Sequence, residues 1–334
     1  MVKVTSNSNK KFRIAYCGNF APEYSTENDV RKAFEYLGHE VVMLQEGDNY
    51  NPNKAPFSKV REEALKSDML LWTGTWGDAY PLSDVLDLVH ECATKNIPTV
   101  TLHLDTFWST SRGGRKWWLE PMFHMAYIFT ADGDYQNEWE LLGKNHMWLQ
   151  PAVRHDAAKF GVELKEYECD LAFVGSNGQG YHEDVWGYRK ELVDFLRDLA
   201  KKKGWSFKNP GGDDPKIDRS DDMNDFYASA KITVGDSLCL NKEKARYWSD
   251  RVPEATGRGG FLIMPQILTM KYEWPKLPTY DWGNFEQLEE VITYYMEHED
   301  ERHTLQVQNQ LITKEDHTYV NRVKTILRIV GLEQ

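Results

Sequence analysis

The sequence predicts an α/β protein made of two Rossmann-like, doubly wound domains, and three observations carry that reading. Short apolar runs rich in Val, Ile, Leu and Phe alternate with amphipathic helical stretches along the 334 residues. That is how buried parallel strands joined by helices read. The alternation restarts near residue 170, after a stretch at 151–165 with scattered charges and no sustained apolar face. The length corresponds to roughly two domains of ~150 residues. The expected division is 1–160, 161–315 and a C-terminal helix at 316–334, with the two doubly wound domains facing a central cleft.

Taken in order, strands are expected at Arg13–Cys17, Glu40–Leu44, Met69–Thr73, Thr99–Leu104 and Ala126–Thr130, then at Leu171–Val174, Ile232–Val234 and Phe261–Met264. Between the first two, Thr26–Leu37 puts Val30, Ala33, Phe34 and Leu37 on one face, with Thr26 as the expected cap and Gly38 as the stop. In the second half Gly187–Lys203 is the matching helix, 211–222 reads as a solvated acidic loop, and Thr318–Val330 is a last amphipathic helix.

Composition narrows the classes. With 41% hydrophobic and 28% charged residues the chain is globular. No apolar run approaches the ~20 residues of a membrane span, and the opening MVKVTSNSNKKF is too polar for a secretory signal. Cys17, Cys92, Cys169 and Cys239 lie 75, 77 and 70 residues apart, so neither a zinc site nor a disulfide framework is indicated. A reducing cytoplasm is expected, the host's if the chain is phage-encoded. The formal charge of -12 disfavours a surface that coats nucleic acid but leaves room for a local basic groove.

Several constellations suit chemistry. The loop Gly18-Asn19 follows the first strand at the carboxyl end of the sheet, where doubly wound domains bind ligands; GxGxxG is absent, which argues against a dinucleotide site. Its second-half equivalent, Gly175-Ser176-Asn177, can offer backbone N–H groups to phosphate, or be a plain surface turn. His103 and Asp105 share a face at the end of a strand, where either can act as a base, or Asp105 can cap the next turn. Arg112, Arg115, Lys116, Trp117 and Trp118 mix cations with large rings, fit either for gripping a polyanion or for core packing. In Arg251-Val252-Pro253-Glu254-Ala255-Thr256-Gly257-Arg258-Gly259-Gly260 an acidic helix runs into a glycine pair and an apolar strand. There Glu254 can accept from two ribose hydroxyls and Arg251 can meet a diphosphate.

That last string resembles the donor-site motif of GT-B glycosyltransferases. It is more closely similar to spore-maturation-type members, which combine Arg-x-x-Glu, Gly-Gly and a late His-Thr-Tyr, here Arg251, Glu254, Gly259, Gly260 and His317-Thr318-Tyr319. The resemblance implies a hexosyl- or pentosyltransferase that takes a nucleoside diphosphate sugar as co-substrate and needs no metal or other cofactor. It implies a donor domain at 161–315 and an acceptor domain at 1–160. Gly18, Asn19, Gly175, Ser176, Asn177 and Lys231 would help hold the donor, with Lys231 and Arg251 neutralising the leaving group. Asp105, with His103 behind it, would be the base. The acceptor is expected to be a glycan or surface polymer, with modified DNA carrying a hydroxymethylated pyrimidine as the alternative; a non-catalytic sugar-binding protein is the third reading. One departure stands out: where retaining relatives carry a first glutamate, eight positions before Glu254, this chain has Arg246.

Overall fold

The computed structural model describes residues 10–47, 52–74, 79–105, 108, 117–177, 183–237 and 245–333. Among the described residues eleven strands form two sheets with interleaved helices. The first comprises β1 (Arg13–Gly18), β2 (Glu40–Gln45), β3 (Met69–Trp72), β4 (Thr99–His103), β5 (Tyr127–Thr130) and β6 (His146–Trp148), in the order β2-β1-β3-β4-β5-β6. The second comprises β7 (Cys169–Ala172), β8 (Phe207–Lys208), β9 (Ala230–Val234), β10 (Leu262–Pro265) and β11 (Thr279–Tyr280), in the order β11-β10-β9-β7-β8. Ile14 lies opposite Val41 and Met69 in parallel register, and Leu171 opposite Phe207 and Ile232. Each sheet therefore has its first strand between its second and third. This is the order 2-1-3 that creates a topological switch point at the carboxyl ends of the first and third strands.

All eight expected strands are present, because continuous apolar runs are what a sheet covered on both faces requires: Ile14, Ala15, Tyr16 and Cys17 of β1 are buried, as are Leu171, Ala172, Ile232 and Val234. The three strands not expected, β6, β8 and β11, have two or three residues each and lie at sheet edges. One cap is corrected. The first helix, Thr26–Tyr36, is capped by Ser25, whose hydroxyl accepts from the Asn28 N–H, so Thr26 is already helical. The region 211–222 is also not simply a solvated loop. Helix Asp221–Ser229 begins inside it behind a Ser220 cap, and Gly211, Ile217 and Arg219 line a cavity.

Two compact units are distinguished. One comprises Met1–Leu102, Leu119–Ile128 and Val320–Gln334; the other comprises His103–Trp118 and Phe129–Tyr319. The final helix, Tyr319–Ile329, buries Val320, Val323, Ile326 and Leu327 and falls almost wholly in the first unit. Among the described residues no helix is long and apolar enough to cross a membrane.

Candidate active site

At the switch point of the second sheet, the loop after β7 and the helix Arg251–Gly257 enclose a cavity of about 250 Å³. Its walls include Gly175, Ser176, Ile217, Met223, Arg251 and Glu254. Gly175 has φ +136°, and a Cβ there would stand 2.5 Å from Arg251 Nη2, so the guanidinium packs where any other residue would intrude. Asn209, fully buried, fixes this loop by donating through Nδ2 to the carbonyls of Phe173 and Gly175, both at 2.8 Å.

Glu254 is 5% exposed. Its Oε2 accepts from Arg258 Nε at 2.7 Å, while Oε1 is buried with no hydrogen-bond partner among the described residues. Arg258 is fully buried and also donates to Ser220 O and Asn224 Oδ1, at 2.9 and 2.5 Å. One carboxylate oxygen is thus anchored and the other keeps its accepting capacity, at a wall of the cavity. A buried ionised group is tolerated only with such a partner.

Arg251 donates from Nε to Val174 O at 3.0 Å and places Nη1 3.0 Å from Asp236 Oδ1. The other Asp236 oxygen takes Arg189 Nε at 2.8 Å, and Arg189 Nη1 reaches Ser176 Oγ at 3.2 Å. Both guanidiniums lie over the Phe173 ring. Burial, and then repulsion from Arg251, hold the Arg189 guanidinium below its ordinary range. Arg219 pairs with Asp250. Burial alone would push the Asp250 carboxyl up, but Arg219 and Arg251 together hold it below the usual carboxylate range. The cavity therefore has guanidiniums and an accepting carboxylate among its walls.

The remaining expected residues are distributed as follows. Asn177 bonds Asp213 at 2.7 Å beside the loop. Gly259 and Gly260 cap the helix Arg251–Gly257: Gly259 has φ +84°, and added Cβ atoms would strike Phe160 and Tyr227 at 2.4 and 2.8 Å. Lys231 departs from expectation. As the second residue of β9 it sits at the amino end of that strand, paired with Asp170 at 2.6 Å on a separate cavity of about 840 Å³, because parallel strands send their two ends to opposite edges of the sheet.

In the first unit, Gly18 and Asn19 follow β1 at its own switch point. There the Asn19 and Phe20 N–H groups donate to Glu27 and Gln45 at 3.4 and 2.9 Å. His103 is buried at the end of β4, where its carbonyl accepts from Ala131, and Asp105 is exposed just beyond. Arg246 is exposed; its N–H is held by Asp134, and its guanidinium lies 5.9 Å from the Trp148 ring centre. Trp118 stacks on Trp108, which stacks in turn on Tyr135, so the ring of Trp118 packs within an aromatic column. Trp117 begins a short 3₁₀ turn. Arg112, Arg115 and Lys116 lie outside the described residues. Arg189, Arg219, Asp236 and Arg258 were not anticipated.

Residues 174–328 match the family model described as glycosyl transferase-like. Comparison with curated proteins gives no match. Among solved structures, an alpha-glucosyltransferase in complex with UDP and a 13-mer DNA containing an HMU base aligns with TM-score 0.66 at 11% identity, over 96% of this chain and 100% of that one. T4 phage BGT in complex with UDP-glucose aligns with TM-score 0.57 at 13% identity, over 94% and 98%. AviGT4, a glycosyltransferase of avilamycin A biosynthesis, aligns with TM-score 0.51 at 10% identity, over 96% and 97%. The chain thus has the two-domain GT-B fold of these structures, and its residues 174–328 match the glycosyl transferase-like family.

Proposed function

We propose that the chain transfers a sugar from a nucleoside diphosphate sugar, held in the second unit, to the hydroxyl of a hydroxymethylated pyrimidine in DNA. The observation that carries the donor half is the Glu254 carboxylate, with one oxygen anchored by Arg258 and the other buried without a partner on the cavity wall. Adjacent ribose hydroxyls would satisfy it, and Arg251, backed by Arg189, would face the diphosphate. Gly175 and Ser176 complete the phosphate end. Lys231, Gly259 and Gly260 take no part in this reading, and neither do Gly18 and Asn19, whose loop N–H groups are already committed.

In the transfer, the acceptor oxygen bonds to the anomeric carbon as the bond from that carbon to the diphosphate oxygen breaks. The hydroxyl proton passes to Asp105, and the arginines stabilise the charge on the departing diphosphate. Support for a DNA acceptor comes from the DNA-bound alpha-glucosyltransferase, which aligns with this chain over nearly the full length of both. The sequence cluster Arg112, Arg115 and Lys116 adds to it. The formal charge of -12 counts against a DNA acceptor and favours a second reading, a glycan acceptor.

The test is release of nucleoside diphosphate from a panel of donors. It should rise with duplex DNA carrying a 5-hydroxymethylpyrimidine and stay at background with unmodified DNA. Release stimulated only by oligosaccharides would transfer the assignment to the glycan reading. Donor binding with no release on any acceptor would point to a sugar-binding protein.

A further inference from the structure

The cavity's cationic end has a component that the donor reading does not use. Asp236, 2% exposed, follows β9 at the switch point and is placed between two guanidiniums, with Arg189 Nε 2.8 Å from one oxygen and Arg251 Nη1 3.0 Å from the other. Arg251 lines the cavity, and Arg189 reaches it through Ser176 Oγ. Two like charges packed over one Phe173 ring repel each other, and the Asp236 carboxylate bridges them. The trio of Arg189, Arg251 and Asp236 carries a net charge of +1. A diphosphate arriving at Arg251 therefore meets a site whose positive charge is already partly cancelled from behind.

We propose that Asp236 is a resident counter-ion. It is a positioning residue that holds Arg189 and Arg251 side by side when the site is empty, and its retained charge limits how tightly the nucleoside diphosphate is gripped. A transferase must release that product on every turnover. Two arginines with no counter-ion would hold a diphosphate too long; a fixed carboxylate between them lowers the hold without moving either donor. This inference rests on the donor reading of the preceding subsection.

The experiment counts charge. Four proteins are compared by calorimetry with UDP, GDP, ADP and inorganic pyrophosphate: wild type, Asp236→Asn, Arg189→Met, and the double variant. Their trio charges are +1, +2, 0 and +1, from the two arginines and the one carboxylate. Affinity should follow that count, with Asp236→Asn tighter than wild type and Arg189→Met weaker, each on the order of tenfold, and the double variant close to wild type. Product inhibition should sharpen in Asp236→Asn in parallel. A residue that only braces the fold would weaken binding in both single variants, and that result, or a double variant no tighter than Arg189→Met, overturns the counter-ion role. Should Asp236→Asn fail to fold with the buried Arg189 deprived of its carboxylate partner, the comparison of Arg189→Met with the double variant still decides. If the wild type binds no diphosphate at all, the donor reading falls and takes this role with it. That outcome is distinct from four proteins that bind equally, which removes the role alone.

Discussion

The two switch points share a topology and differ in what stands behind the loop. After β1, Gly18 is followed by N–H groups that donate to the chain's own side chains, and an added Cβ at Gly18 would meet the buried Glu27 at 2.8 Å. Glu46, also fully buried nearby in sequence to β2, accepts from Trp72 Nε1. After β7, Gly175 is packed against Arg251, and Ser176 accepts from Arg189. One loop is closed by acids and amides, the other is opened towards anions by arginines. A glycine loop at the carboxyl end of a sheet is therefore only an address; the charge of the side chains behind it decides whether an anion can use it.

That contrast can be tested from its strongest point downwards. Arg258→Met removes the Arg258 partner of Glu254 Oε2 and leaves a carboxylate buried, which should cost roughly 3–5 kcal/mol in thermal or urea unfolding. A loss under about 1 kcal/mol would mean that Glu254 is hydrated rather than anchored.

Acid should separate the sheets next. His146 on β6 is buried beside Thr130 and Gln136, and burial pulls its imidazole down to about 4. Above pH 6.5 both folded and unfolded chains hold this group neutral, and its contribution is whole. Between roughly 6.5 and 4 the unfolded chain binds a proton that the folded chain refuses, so stability falls by about 3 kcal/mol across that window. Urea midpoints against pH should show the slope in wild type and lose much of it in His146→Gln. An unchanged slope would remove His146 from the account. Arginines do not titrate in this range, and the Asp250 carboxyl at the second switch point, held below the usual carboxylate range, loses its contribution only at lower pH.

Glu254→Gln comes third. It should weaken nucleoside diphosphate binding by about 1.5–3 kcal/mol, because an amide cannot offer charge-assisted acceptance to ribose. The smallest effect is expected at the other loop: Glu27→Gln should leave that affinity within about twofold of wild type. Equal losses in the two variants would abolish the distinction between the loops.

Much of this was readable in the sequence, and the remainder was hidden for a definite reason. Continuous apolar runs located all eight longer strands, since burial on both faces leaves a one-dimensional trace. Arg251 and Glu254 were visible because their spacing of three lies within one helix. Arg189 and Asp236 meet across 47 residues and Arg258 meets Asn224 across 34, and no periodicity reports pairings at that range. Arg258 stood in the same string as Glu254 and could have been found: positions i and i+4 of a helix face each other, and a buried glutamate needs a cation. Lys231 looked suitable by charge alone, but its place at the start of β9 rather than after its carboxyl end puts it at the opposite edge of the sheet from the donor cavity.

The last helix has a consequence for how the protein is made. Tyr319–Ile329 supplies Val323, Ile326 and Leu327 to the interior of the first unit, yet it is translated after the whole of Phe129–Tyr319. The first unit therefore cannot be completed until the second has been synthesised, against the usual order in which an N-terminal domain is finished first. The second unit can close around its five-stranded sheet while the first still waits for one of its own helices. During that interval the face that receives the helix is bare, so for this chain the vulnerable moment in synthesis belongs to the domain that emerges first.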